Sequence, residues 1–98
     1  NGNIIWTKTY DSGKDDYALG LAIDSTGNII VTGYITKDQN KNFYTIKYDT
    51  RGNILWEKSY DSGKDDYSLD VAIDQNNKII VTGYVFNGTN NDFFTIKY

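Results

Sequence analysis

WTKTYDSGKDDY at Trp6–Tyr17 returns as WEKSYDSGKDDY at Trp56–Tyr67, fifty residues on and with nothing inserted or deleted between them. The register holds outward in both directions: Gly33 falls on Gly83 and Tyr48 on Tyr98. About 29 of the 48 alignable positions are identical, so the chain is read as one unit written twice, repeat 1 over 1–50 and repeat 2 over 51–98. A repeat of this length is a supersecondary unit that cannot bury its own apolar faces and must stack on copies of itself.

Each unit holds four segments of strand character. In repeat 1 they are Asn3–Tyr10 (NIIWTKTY), Asp16–Asp24 (DYALGLAID), Asn28–Thr36 (NIIVTGYIT) and Phe43–Tyr48 (FYTIKY); in repeat 2 they are Asn53–Tyr60, Asp66–Asp74, Lys78–Phe86 and Phe93–Tyr98. Apolar residues recur with period two and nowhere with helical spacing, which makes the chain all-β. Asp24–Asn28 (DSTGN) and Asp49–Asn53 (DTRGN) suit tight hairpins in which aspartate caps the turn and glycine takes positive φ. In the third such turn, Asp74–Lys78, Asn77 stands where the others have glycine, and asparagine is the next best residue for that conformation. The second and third segments of a unit are therefore expected to form one hairpin. The fourth is expected to pair with the first segment of the next unit. The polar stretches Lys37–Asn42 and Asn87–Asp92, which differ most between the repeats, read as loops.

One face of DYALGLAID is small, with Ala18, Gly20 and Ala22, and the other is large, with Leu19, Leu21 and Ile23. A strand at a crowded axis wants such a face, whereas the bulky Trp6 segment suits a wide periphery. Four-stranded antiparallel units of roughly 40–50 residues arrayed around an axis are propeller blades. The expected fold is thus two four-stranded antiparallel β-propeller blades per chain.

Composition narrows the chemistry. There is no cysteine and no histidine, which removes disulfides, thiolate chemistry and the commonest general base and metal ligand. Ten basic against thirteen acidic residues give a net charge of −3 with no basic stripe, so nucleic acid is not an expected partner. No apolar run approaches the roughly 20 residues of a membrane helix, and a membrane partner is not expected either. The chain begins at Asn1 rather than methionine, which suggests a processed or excised piece.

The best candidate for a site is the acidic loop Asp11-Ser12-Gly13-Lys14-Asp15-Asp16, repeated unchanged as Asp61–Asp66. Asp11, Asp15, Asp16, Asp61, Asp65 and Asp66 offer oxygen ligands of the kind calcium takes. The loop lacks the D-x-D-x-D-G order and the distal glutamate of an EF-hand, and carries a lysine among the ligands. The competing reading is a crossover between blades whose aspartates cap turns. Trp6, Tyr10, Tyr17 and Tyr34, with Trp56, Tyr60, Tyr67 and Tyr84, offer either sugar-stacking platforms or packing between blades. Asn87-Gly88-Thr89 matches an N-glycosylation sequon. No catalytic residue is assigned: G-x-S-x-G, H-E-x-x-H and a phosphate-cradling glycine loop are all missing, so an enzyme is not expected.

The run W-x-K-x-Y-D-S-G-x-D-D-Y, followed by A-I-D-x-x-x-x-I-I-V-T-G-Y and then D/N-F-F/Y-T-I-K-Y, resembles the SBBP family of bacterial β-propeller repeats across nearly the whole chain, twice. The resemblance implies a propeller, often in secreted or cell-surface bacterial proteins, and brings no catalytic residues.

Propellers close with roughly four to eight blades, so two blades are insufficient. The phase of the repeat divides a hairpin, which leads to an expectation of homo-oligomeric closure: strand 3–10 of one copy beside strand 93–98 of another. A cyclic tetramer is preferred to a trimer, and a longer covalent array is the alternative. The expected function is a non-enzymatic, self-assembling scaffold or interaction module. The rival is a lectin-like propeller that binds glycans through its repeated aromatic, Asp and Asn residues.

Overall fold

The structure is a computed structural model and describes residues 2–98. Strands β1 (Asp16–Ile23), β2 (Ile29–Lys37), β3 (Asn40–Tyr48) and β4 (Ile54–Tyr60) form a first sheet in that order, and β5 (Asp66–Ile73), β6 (Ile79–Phe86) and β7 (Asn91–Lys97) form a second. Every pairing is antiparallel, and no helix occurs among the described residues.

The turns carry the pattern that the sequence implies. In the β1–β2 turn the Asp24 carboxylate accepts the amides of Thr26 and Asn28, each at 2.9 Å, while Gly27 sits at φ 87°. Asp49 and Asp74 repeat this arrangement, with Gly52 at φ 85° and Asn77 at φ 60°. Lys47 reaches Asp24 at 3.1 Å, and Lys97 reaches Asp74 at 2.8 Å. Burial pushes the Asp24 carboxyl up, but hydrogen bonds from Asn28, Thr26 and Lys47 outweigh it and hold the group well below its usual range. Lys97, and then the Lys78 amide, lower Asp74 to about 2.

The two sheets stack, with β5 lying against β1, β2 and β3. Ile30 and Phe43 of the first sheet meet Val71, Ile79 and Val81 of the second in one buried cluster. Phe43 contacts the rings of Tyr60 and Phe94 edge-on at 6.1 and 5.9 Å. At the same seam, the hydroxyls of Thr32, Thr45 and Ser68 are joined at 2.9 Å, and Ser68 also donates to the Gly33 carbonyl. Each buried hydroxyl thus has a partner, which avoids the roughly 1–3 kcal/mol cost of an unsatisfied one.

Residues 3–10 are not a strand in the single chain: the first sheet already ends in β4, and the edge expected to pair with them is that of residues 93–98 in another copy. One sheet is four-stranded and the other three-stranded; the fourth strand of the second is the one expected from a neighbouring copy. Two expectations change. The expected loop Lys37–Asn42 is mostly strand, because Lys37 pairs with Asn40 across a two-residue turn with Asp38 at φ 56°. Finally, a bulge between Ala18 and Gly20, repeated between Ser68 and Asp70, inverts the alternation midway along β1 and along β5. Ser68 and Val71 therefore both reach the first sheet, although strict period two puts them on opposite faces. Gly20 does sit at a close backbone approach, as its small size suggests: a Cβ there would lie 3.0 Å from Asp70 Cα.

Candidate functional site

The acidic loops are occupied with their own backbone. Asp16 accepts the Ser12 amide at 2.8 Å and the Ser12 hydroxyl at 2.6 Å, while Asp11 accepts the Gly13 amide at 2.7 Å. Asp61 and Asp66 repeat these contacts with Gly63 and Ser62, and Asp66 is fully buried. Asp65 crosses to the other sheet, accepting the Lys41 amide at 2.9 Å, and the Asp15 carbonyl accepts the Thr36 hydroxyl. Among the described residues no group of three or more His, Cys, Asp or Glu side chains gathers to hold a metal ion. Asn87 spends its side-chain oxygen on the amides of Thr89 and Asn90, closing the β6–β7 loop.

The aromatics are largely stacked on one another. Tyr17, Tyr34, Tyr67 and Tyr84 make a continuous ladder with centroid spacings of 5.0, 4.7 and 4.8 Å, which crosses from the first sheet to the second between Tyr34 and Tyr67. Burial raises the phenol pKa of both Tyr34 and Tyr67.

What the structure leaves open is a pair of sheet faces. On the face of the second sheet that points away from the first, Phe93 is 98 % exposed, whereas its counterpart Phe43 is 1 % exposed. Thr82 and Thr95 are likewise open where Thr32 and Thr45 are buried. The opposite end of the stack shows the reverse. Leu21 is 63 % exposed, whereas its counterpart Val71 is 7 % exposed in the seam. The first sheet's outer face thus carries the residue types that the second sheet buries. The second sheet's outer face carries the types that the first sheet buries. Apolar side chains left open on a sheet face whose counterparts are buried mark a candidate interaction surface.

Part of the first sheet's outer face is roofed by the segment before β1. Trp6 lies against Tyr48 at 5.8 Å with its rings tilted 42°, and Trp56 lies against Tyr98 at 5.6 Å and 49°. Tyr10 lies on Tyr44 at 4.5 Å, and Tyr60 lies on Phe94 at 4.6 Å. Residues 6–10 therefore sit on the first sheet as β4 sits on the second. The Trp6 indole N–H donates to the Thr50 carbonyl at 3.1 Å and pins the segment. Beneath it remains a groove of about 280 Å³, lined by Tyr10, Tyr17, Val31, Gly33, Tyr44 and Ile46.

Sequence reasoning singled out the acidic loops and the aromatics, and it implied that two blades alone leave apolar sheet faces uncovered, but not which residues of the two repeats are buried and which are open. The available signal was the substitution of Ser68 for Ala18 and Asn77 for Gly27, both of which place polar atoms on the internal seam: Asn77 bonds Ser25 across it at 2.6 Å. No protein-family model and no curated protein matches the chain.

Proposed function

We propose that this chain is a non-enzymatic, propeller-type repeat module whose function is self-assembly: copies stack head to tail, as its own two sheets stack, into a closed scaffold. The observation that carries this reading is the inverted burial of Phe43 and Phe93, the same residue at the same repeat position, covered in one sheet and open in the other. A heterologous contact of this kind joins two different surfaces on each copy and closes into a ring when the rotation per copy allows it. The resemblance to SBBP propeller repeats supports the same architecture, with a tetramer of eight blades preferred to a trimer of six. The lectin-like alternative is less well supported, because the candidate sugar platforms are stacked ring on ring.

Light scattering coupled to size exclusion tests the reading. The expected mass is a whole multiple of 11.2 kDa corresponding to three or four copies. A chain that stays monomeric at high micromolar concentration contradicts it.

A further inference from the structure

Resting on that reading, we infer that residues 4–10 are a preformed strand acceptor that takes β7 of a second copy in one defined register. Within the chain, β3 and β4 pair Phe43 with Tyr60, Thr45 with Lys58 and Lys47 with Trp56. Carried over by the fifty-residue shift, Phe93 of one copy stands opposite Tyr10 of the next, Thr95 opposite Lys8 and Lys97 opposite Trp6. The acceptor is already in place: the Trp6–Tyr48 and Tyr10–Tyr44 contacts hold it where Trp56–Tyr98 and Tyr60–Phe94 hold β4. Ile4 and Ile5 are 80 % and 90 % exposed, against 50 % for each of their counterparts Ile54 and Leu55 in the paired β4, so the segment is the more open of the two. The groove beneath it is lined by Tyr10 and Tyr44, the counterparts of the Tyr60 and Phe94 rings that enclose Phe43. Phe93 of the incoming copy fills that groove as Phe43 fills the internal one.

The differences between the repeats fit this register. In the first sheet the Tyr44 hydroxyl donates to Glu57. At the matching place between copies stand Phe94 and Thr7, so donor and acceptor are missing together and neither is stranded. Contacts that need only one side chain keep it. Asn40 donates to the Gly63 carbonyl at 3.0 Å, and Asp65 accepts the Lys41 amide; Asn90 with Gly13, and Asp15 with the Asn91 amide, preserve both. Where the internal seam has Ser68 the copy–copy seam has Ala18, but the Thr82 hydroxyl there already meets Thr95 at 3.1 Å and the Phe94 carbonyl at 3.3 Å. The partner is therefore a second copy of this chain, bound through a seam that is less polar than the internal one.

The chain has no cysteine, so engineered thiols report the register directly. Two single variants, Lys8→Cys and Thr95→Cys, are mixed and oxidised, with Thr9→Cys and Thr95→Cys as a control one residue out of register and on the opposite face. The native mass of each mixture is measured before oxidation. The in-register pair is expected to form linked dimers at least about tenfold faster than the control, because disulfide geometry tolerates little displacement. Equal linking, or faster linking of the control, in a mixture that keeps its oligomeric mass overturns the register while the assembly stands. A mixture that is monomeric before oxidation overturns both.

Discussion

Phe43→Ala and Phe93→Ala are expected to give opposite results although they remove the same ring from the same repeat position. Phe43 is 1 % exposed and enclosed by Tyr60 and Phe94, with Ile30, Val71, Ile79 and Val81 in the same cluster. Deleting it leaves a cavity between the sheets and is expected to cost about 3–5 kcal/mol of chain stability. Phe93 is 98 % exposed in the single chain, so in dilute solution its loss is expected to change urea stability by no more than about 0.5 kcal/mol. Its effect is expected on the assembly proposed above. Truncating a central buried aromatic of an interface costs on the order of 2 kcal/mol or more per contact, a shift of about thirtyfold or more in the dissociation constant. Urea titration at low concentration and light scattering across a dilution series separate the two. Equal effects of both variants on chain stability would mean that the faces are not related as described.

Gly33→Ala is expected to unfold the first sheet. The position has no positive φ, so the need for glycine is one of space. The bulge in β1 brings its backbone over β2, and a Cβ on Gly33 would run into the Tyr17 carbonyl oxygen while lying 2.9 Å from Ala18 Cα. Neither atom belongs to a flexible side chain, so the strand pair itself must part. The same bulge stands over Gly83, where Tyr67 and Ser68 play these roles. A loss of roughly 3 kcal/mol or more is expected, at the upper end for single substitutions. The check is thermal unfolding followed by far-ultraviolet circular dichroism. A variant that melts within a few degrees of the parent contradicts the close approach.

Which parts of this were readable beforehand follows from the range of the interactions involved. The hairpins were legible because Asp24, Gly27 and Asn28 bond within five residues of one another, and Asn77 could stand in for glycine on local grounds alone. The bulge was not. Nothing between Ala18 and Gly20 marks the extra residue, since it reflects how β1 lies on β2, and it moves Val71 onto the face of Ser68. The Lys37–Asn42 stretch looked like a loop because Lys37, Asp38, Gln39 and Asn40 are polar, whereas backbone pairing there is indifferent to side-chain polarity. NIIWTKTY carries a strand pattern, but whether it becomes a strand depends on an edge outside its own sheet, because β4 already closes the edge of β3. In the acidic loops, composition alone left both ligation and capping open, and the structure places Asp16 and Asp66 on serine amides and hydroxyls.

In the proposed assembly, two different faces of each copy meet. Leu21→Asp charges the outer face of the first sheet, and Phe93→Asp charges that of the second; both side chains are exposed in the single chain, so folding is spared. Each variant alone has one open face blocked and is expected to run as an 11.2 kDa monomer. Mixed in equal amounts, the two retain one matching pair of faces between them and are expected to give a dimer of twice that mass and nothing larger. A mixture that stays monomeric, or a single variant that still assembles, contradicts the account.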